Sequence, residues 1–353
     1  MKNSYRQTHL DILRIMANFL VIFNHTAGFT LYQNTYEPTK AGLYMLLSII
    51  TKINVPVFFM ISGALLLGKE EDLSYILTKR VFRFILLIVG ASTFIYIIKA
   101  SGAVTPANLF YGISTCQIEG TYWYLYAHLA FLLMLPYLRR IVSNLNKKDF
   151  IYILAIHFII NTILPIADYI LYAATKQHIT LYSEIQLPIM TTKAFFYPII
   201  GYYIDKHIDI QKMNLRKLTP LFLLSIAGIA ITEFFTFHQK YPHIGYTEDF
   251  FELFDYVFAI AVFVFIKYIA SKYNLSEKKT VITKFTSIVA PLTLGIYLLD
   301  PCWKHLVEPT VYNALLPYVP FVINSFIYCF ISMLLGGCAT YLLKKIPFVN
   351  KIL

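Results

Sequence analysis

The sequence is poor in charged residues and in cysteine. Charged side chains make up 14% of the 353 residues, while apolar ones make up 58%. A water-soluble domain cannot cover its surface with so little charge, so this balance excludes the soluble fold classes. The four cysteines have no C-x-x-C spacing, and no cluster of His, Cys and carboxylate residues has the spacing of a metal site. The sequence therefore predicts a membrane protein without a bound metal.

A soluble domain, a cleavage site and an internal repeat are also missing. No long polar segment separates the apolar runs, so residues 1–353 are predicted to form one transmembrane domain. No Ala-x-Ala-like site follows the first apolar run, whose interior is charged, and we expect that run to be retained rather than removed as a signal peptide. The lack of a clear repeat disfavours a secondary transporter or glycan flippase, which stays open as the competing class of protein.

Long apolar runs recur along the whole chain. A helix needs roughly 20 apolar residues to cross a bilayer core of about 30 Å. The sequence therefore predicts an all-α integral membrane protein, a bundle of about ten transmembrane helices. Their predicted positions are 12–32, 42–67, 81–99, 122–142, 150–172, 187–205, 218–237, 253–271, 287–303 and 316–343.

The basic residues predict how these helices are oriented. Of the 30 Lys and Arg residues, 22 fall in segments on the same side as the N-terminus, five fall on the other side, and three lie within spans. Loops left in the cytoplasm retain Lys and Arg, so both termini are predicted to be cytoplasmic. The same bias explains the net charge of +11 without a nucleic-acid partner.

The first apolar run carries a line of polar side chains. Asp11, Arg14, Asn18 and His25 follow steps of three, four and seven residues, so they share one face of a helix. Arg14 and His25 are three turns and 20° apart, which places them roughly 16 Å apart along the axis. Ionisable groups facing lipid cost roughly 3 kcal/mol each, so this line should face the bundle interior or a wet cavity.

Two interpretations of this line remain open from the helix geometry alone. Asp11 and Arg14 can simply pair at the cytoplasmic end, and an intramembrane His can be a packing residue. The depth of His25 in the predicted span favours a functional role, because His exchanges a proton near neutral pH.

Two further segments stand out near the cytoplasmic side. Arg80 and Arg83 lie three residues apart on one helix face, either as a topology signal or as a site for a phosphate-bearing ligand. In the second span, Pro56 predicts a kink, and Ser62-Gly63 predicts close backbone contact or a break. Together with Lys52, they predict an irregular helix beside a cavity.

These motifs together resemble the acyltransferase-3 family of multi-pass membrane acyltransferases, which modify bacterial surface glycans. Arg14 and His25 match the family's basic residue and His separated by ten residues in the first helix. Arg80 and Arg83 match its R-x-x-R pair. Further similarity lies in LDILRIMANFLV (10–21), PVFFMISG (56–63), YWYLYAHLAFLLMLPYL (122–138) and GIYLLDP (295–301). The resemblance covers most of the chain, with two departures: Ala64 follows Ser62-Gly63, and Asp300 replaces a His before the late Pro.

The resemblance implies a function and a location. It implies an O-acyltransferase of the bacterial cytoplasmic membrane that moves an acyl group, expected to be acetyl, from cytosolic acyl-coenzyme A to a hydroxyl of a cell-surface or lipid-linked glycan. The expected cofactor is acetyl-coenzyme A, and the expected partners are that donor, the glycan and membrane lipid.

The resemblance also implies residue roles. His25 would act as general base on the acceptor hydroxyl, with Arg14 and Asn18 as its catalytic companions and Asn24 as an alternative to Asn18. Arg14, Arg80 and Arg83 would bind the phosphates of the coenzyme. A covalent acyl intermediate remains an alternative to direct transfer. Glu233 and Asp300 are candidate partners of His25, and the aromatic residues Tyr122, Trp123 and Tyr124 are candidates for stacking on sugar rings.

Overall fold

The computed structural model describes residues 7–26, 38–99, 105–179, 181, 185, 187–240, 245–246, 250–276 and 280–353. Helices form nearly all of this part of the chain, and it contains no strand. The predicted all-α class is therefore confirmed for the described residues.

The described residues form a series of helices. We number them α1 (Thr8–His25), α2 (Pro38–Thr51), α3 (Asn54–Leu66), α4 (Leu73–Lys99), α5 (Pro106–Ser114), α6 (Trp123–Asn144), α7 (Lys147–Thr175), α8 (Lys193–His207), α9 (Leu215–Lys240), α10 (Asp255–Lys272), α11 (Val281–Val289), α12 (Thr293–Leu306), α13 (Glu308–Leu315), α14 (Phe321–Leu343) and α15 (Pro347–Ile352). A wider π turn interrupts α4 at Ile76–Val81 and α7 at Ile159–Ile163.

Each of the ten predicted spans overlaps a helix of the structure. Seven helical segments of the described chain are long and apolar enough to cross a membrane: Lys40–Leu66, Leu73–Lys99, Gly120–Asn144, Lys147–Thr175, Leu215–Gln239, Val281–Leu306 and Phe321–Leu343. The other three predicted spans correspond to α1, α8 and α10. Ten crossings and the orientation of the termini stay predictions.

The three remaining helices form much of the interior of the molecule. α1, α8 and α10 contribute to the largest cluster of buried apolar side chains, together with α3 and α6. The peripheral helices instead present apolar side chains outward, such as Leu223 and Ile226 on α9 and Phe330 and Leu334 on α14. An outward apolar face of this kind suits contact with lipid, and the peripheral helices that carry it surround the more polar helices.

The first predicted span is shorter as a helix than the sequence suggested. α1 ends at His25, because Thr26 has an extended backbone and its hydroxyl donates to the carbonyl of Phe23. The prediction of one apolar span from 12 to 32 is therefore wrong as a helix boundary, and residues 27–32 lie outside the described residues. His25 is the last residue of α1 rather than part of its interior.

The predicted irregularity in the second span is confirmed, at a different position. The helix is interrupted at Lys52 and Ile53, between α2 and α3, and Pro56 lies in the first turn of α3, where a missing N–H costs little. α3 then continues through Ser62 and Gly63 without a break. Residues on both sides of the interruption line the large cavity described below.

Gly63 allows α3 and α8 to approach each other at backbone distance. A Cβ added to Gly63 would lie 1.8 Å from the carbonyl oxygen of Pro198, and one added to Gly201 would lie 2.1 Å from that of Met60. Small residues permit this kind of close crossing between membrane helices. The crossing turns Gly63 toward α8 and leaves the preceding Ser62 on the cavity side.

An ionic network joins three helices near the end of α3. Glu71 accepts hydrogen bonds from both Arg80 on α4 and Arg139 on α6, and Arg139 also donates to the carbonyl of Leu66 at 2.9 Å. The hydrogen bonds from Arg80, followed by those from Arg139, lower the pKa of the Glu71 carboxyl to about 2. Glu71 therefore stays ionised and fixes the ends of α3, α4 and α6 together.

We expect Gly63→Ala to destabilise the protein strongly. The new methyl group would overlap the backbone of α8, which cannot move without separating two helices, and overpacking of this kind costs about 2 kcal/mol or more. Gly90→Ala on α4 is the matched control, because a Cβ there meets nothing within 4 Å. Thermal unfolding of the detergent-purified protein should show a large loss for Gly63→Ala alone. Equal unfolding temperatures for the two variants would contradict the close crossing.

We expect the Glu71 network to make the stability of the folded protein depend on pH in the acidic range. The folded-state pKa of about 2 lies below the ordinary value of 4.5, so the stabilisation is complete above pH 4.5 and is lost as the pH falls toward 2. Glu71→Gln should lower the unfolding temperature at neutral pH and flatten this acid dependence. Its exposed neighbour Glu70 provides the control, and Glu70→Gln should reproduce the wild-type profile. An unchanged profile in Glu71→Gln would exclude the network as its cause.

Candidate active site

A cavity of about 620 Å³ runs through the interior of the bundle beside α1. Arg14 lines it near the start of α1, and His25 lines it at the end of α1. Trp123, Lys193 and Glu252 line it at the starts of α6 and α8 and just before α10. We call the end near the start of α1 the basic end and the other the far end. Of the polar line predicted on α1, Arg14 and His25 therefore line the cavity, whereas Asp11 lines only the second pocket described below and Asn18 lines neither.

His25 is held by a buried carboxylate. Its Nδ1 lies 2.7 Å from Oδ2 of Asp300 on α12, and the other oxygen of Asp300 accepts from the hydroxyl of Ser332 on α14 at 3.0 Å. The Asp300 side chain is 1% exposed. Because the carboxylate accepts, Nδ1 is the donor, and in the neutral imidazole Nε2 then has the free lone pair. No other described residue forms a hydrogen bond to His25, so Nε2 is available to a substrate.

The partners of His25 place it at depth in the bundle. Although α1 ends at His25, Asp300 lies in the middle of α12 and Ser332 in the middle of α14. Of the two carboxylates considered as partners, Asp300 is therefore the one that contacts His25. Glu233 lies instead beside Gly42 of α2.

Arg14 lies where the cavity meets a second pocket. It forms an ion pair with Asp11 at 3.7 Å, as the simpler interpretation of the sequence proposed, and it also lines the cavity. The second pocket, of about 530 Å³, adds Lys69 from the turn after α3 and Lys206 from α8. We call this the basic pocket. Arg14 is too far along α1 from His25 to reach the same reacting atom, which favours a binding role over a catalytic one.

Asn18 and Asn24 differ in their access to the cavity. Asn18 is completely buried, does not line the cavity, and neither of its amide atoms has a hydrogen-bond partner among the described residues. Asn24 lines the cavity, and its amide nitrogen donates to the carbonyl of Thr51 at 3.4 Å. The placement therefore favours Asn24 rather than Asn18 as a companion of His25.

The two arginines of the R-x-x-R pair lie outside the cavity lining. Arg80 is bound by Glu71 through both its Nε and a terminal nitrogen, so its guanidinium already has a carboxylate partner. Arg83 is exposed and donates to the carbonyl of Ile352 on α15 at 2.9 Å. Arg80 therefore serves the structure, and Arg83 lies near the basic end without lining the cavity.

Several cavity residues escaped the sequence analysis. Lys344 lines the cavity and donates to the carbonyl of Pro291, which also lines the basic pocket. Burial and the nearby Arg83 guanidinium lower the pKa of Lys344. His128 lines the middle of the cavity among aromatic rings, and its buried Nδ1 has no partner among the described residues. The Lys193–Glu252 ion pair lies at the far end. Their basic or polar character was the only sequence signal, at span ends for Lys344, Lys193 and Glu252 and within a span for His128.

The three candidate aromatic residues differ in their access to the cavity. Trp123 and Tyr124 line the cavity, and the ammonium of Lys193 lies 5.9 Å from the centre of the Trp123 ring. Tyr122 is 1% exposed and its hydroxyl donates to the carbonyl of Leu298, so it is unavailable for stacking on a sugar.

Comparison with known proteins gives one family. The sequence profile described as "Acyltransferase domain" matches residues 8–341, essentially the whole chain. No characterised protein and no solved structure matches significantly. The matched region contains Arg14, His25, Asp300 and Ser332. The chain belongs to the acyltransferase-3 family.

Proposed function

We propose that this protein transfers an acetyl group from cytosolic acetyl-coenzyme A to a hydroxyl of a glycan at the outer side of the bacterial cytoplasmic membrane. The observation that carries the proposal is a His with a free Nε2, held by a buried carboxylate and lining a cavity between a basic pocket and a polar far end. The basic end then corresponds to the cytoplasmic face, in agreement with the predicted topology.

The basic pocket suits the anionic part of the donor. Arg14, Lys69 and Lys206 line it, and Lys344 lies beside it at Pro291. Lys and Arg bind phosphates through charge-assisted hydrogen bonds, and coenzyme A carries several phosphates. The uncharged pantetheine arm would extend from there along the cavity. This assignment replaces Arg80, whose guanidinium is bound by Glu71, and leaves Arg83 at most a peripheral role.

His25 suits the role of general base. Nε2 would take the proton of the acceptor hydroxyl while the hydroxyl oxygen attacks the thioester carbonyl. The C–S bond then breaks, and the coenzyme thiolate leaves and receives the proton from His25. Asp300 holds the imidazole in the required tautomer and stabilises its charged form during the step. Direct transfer of this kind needs no covalent enzyme intermediate.

We expect His25→Gln to remove nearly all transfer. Glutamine keeps much of the volume and a hydrogen-bonding amide but is a very poor base, so the rate should fall by about 10²-fold or more. Asp300→Asn should also lower kcat strongly, because an amide no longer fixes the tautomer or the charge of His25. Transfer of label from acetyl-coenzyme A to glycan in purified vesicles measures both variants.

Two controls separate catalysis from packing and from transport. Binding of acetyl-coenzyme A should persist in His25→Gln, since the phosphates are held elsewhere. A correctly inserted His25→Gln protein with near wild-type transfer would refute the base assignment. A wild-type protein that moves a glycan while leaving the thioester untouched would indicate a transporter instead.

We expect Lys69→Ala with Lys206→Ala to raise the KM for acetyl-coenzyme A more than it lowers kcat. These lysines would contact phosphates remote from the reacting carbon and contribute binding equally in the ground and transition states. Lys212→Ala with Lys217→Ala removes two basic residues that line neither pocket and should leave KM unchanged. Steady-state kinetics with varied donor concentration tests this. An unchanged KM in the first double variant would argue against the basic pocket as the donor site.

A further inference from the structure

A small polar pocket lies next to the far end of the cavity. It has a volume of about 180 Å³ and is lined from α7, the turn before α8, α8 itself and the start of α10. Lys193 and Glu252 line both this outer pocket and the cavity. The Lys193–Glu252 ion pair therefore lies between the outer pocket and the cavity and lines both. Other polar side chains of the outer pocket are His157, Asn161, Thr191, Tyr197 and Asp255.

Hydrogen bonds within the protein leave this pocket mainly with acceptors. His157 Nδ1 lies 2.5 Å from the carbonyl oxygen of Met190, so Nδ1 must be the donor and Nε2 the acceptor. The hydroxyl of Thr191 already donates to the carbonyl of Leu187, and that of Tyr197 donates to Asp255. The remaining capacity of these groups is to accept. A ligand can therefore donate hydrogen bonds to these three groups, while the amide of Asn161 and the ammonium of Lys193 keep further N–H groups that can donate to it.

The acidic groups of the outer pocket disfavour the binding of an anionic ligand. Glu252 is paired with Lys193, whereas no ion pair to Asp255 is found in the described part of the chain. The pocket lining therefore carries two neighbouring carboxyl groups and one ammonium group. An anionic ligand would bring a third acidic group beside two that share a single ammonium group, which is unfavourable in a partly buried site.

The fold supports a binding role for this region. Asn161 lies within the π turn of α7 at Ile159–Ile163, and such turns occur frequently at functional sites because they displace side chains from the regular helical face. His157 is 4% exposed and packs flat against Phe196 with the ring centres 3.6 Å apart, so its orientation is fixed. The acceptors are therefore held in place before a ligand arrives.

We propose that the outer pocket binds one uncharged sugar ring of the acceptor glycan, next to the sugar that receives the acyl group. The hydroxyls of the ring donate to Asp255 and to Nε2 of His157, and the absence of a negative charge on that ring is the basis of selection. This inference rests on the proposed function, since it identifies the cavity as the site of the acylated sugar. Because the outer pocket and the cavity share Lys193 and Glu252, the sugar ring in the outer pocket and the acylated sugar in the cavity would lie side by side.

Binding of simple glycosides to the whole protein tests this inference without acyl transfer. The chain has two tryptophans, so Trp303→Phe leaves Trp123, near Lys193, as the single fluorescent reporter. The probes are the methyl glycosides of glucose and galactose and the corresponding methyl glycosides of glucuronate and galacturonate, which differ by one carboxylate. A detergent without a sugar headgroup is required. At least one neutral glycoside should change the Trp123 emission, and its uronate should bind at least tenfold more weakly.

Substitutions in the outer pocket should change the preference of the protein for a neutral glycoside over its uronate. Asp255→Asn should weaken the binding of the neutral glycoside by about tenfold, because a hydrogen bond to a carboxyl oxygen is lost. It should also reduce the difference in affinity between the neutral glycoside and its uronate. Asn161→Leu, which fills the pocket at the π turn, should also weaken binding. Asp209→Asn, at the basic end, removes a carboxylate elsewhere and should leave both affinities unchanged.

Three results would overturn the inference: no response to any neutral glycoside, equal affinity for a sugar and its uronate, or unchanged affinity in both Asp255→Asn and Asn161→Leu proteins that unfold at the normal temperature. Failure of the proposed function is seen separately, as wild-type protein that neither hydrolyses nor transfers the acetyl group of acetyl-coenzyme A.

Discussion

The hydrogen bond between His25 and Asp300 is the interaction around which the candidate site is arranged. It joins the end of α1 to the middle of α12, and Ser332 connects the same carboxylate to α14. A buried carboxylate without partners would be very costly, so Asp300 needs both His25 and Ser332. The Asp300 carboxylate also fixes the tautomer of His25. The same contacts thus hold three helices together and leave Nε2 with the lone pair that a general base requires.

The apolar helices at the periphery make this polar interior possible. A membrane protein can keep ionisable groups inside only when other segments separate them from lipid. The seven long apolar helical segments can provide that separation, while α1, α8 and α10 contribute ionisable groups of the cavity and the two pockets, such as Arg14, Lys193 and Asp255. The close crossing of α3 and α8 at Gly63 then fixes one wall of the cavity, because two backbones in contact cannot shift independently.

The sequence predicted what depends on local periodicity and missed what depends on distant contacts. Helical spacing was enough to place Arg14 and His25 on the face of α1 that lines the cavity. Asp300 could only be a candidate, because it lies 275 residues from His25 and no periodic pattern links them. Arg80 was assigned to phosphate because the sequence cannot show that Glu71 folds back onto it. Lys69 and Lys206 went unnoticed for a similar reason, since each is an ordinary basic flank until α3 and α8 bring them beside Arg14.

The distribution of charge along the cavity explains how the proposed reaction could join two compartments without opening a path between them. Arg14 and the neighbouring lysines attract anions at the basic end, whereas the middle is lined by Phe58, Phe84, Tyr124 and the ring-enclosed His128. A phosphate group passing these rings would lose its hydration without gaining a partner, which is very expensive. The uncharged pantetheine arm meets no such barrier. Next to the far end, the carboxyl groups of Glu252 and Asp255 in the outer pocket disfavour anions again. In the proposed reaction, the cavity would therefore admit the acyl end of the donor to His25 and retain its nucleotide on the basic side.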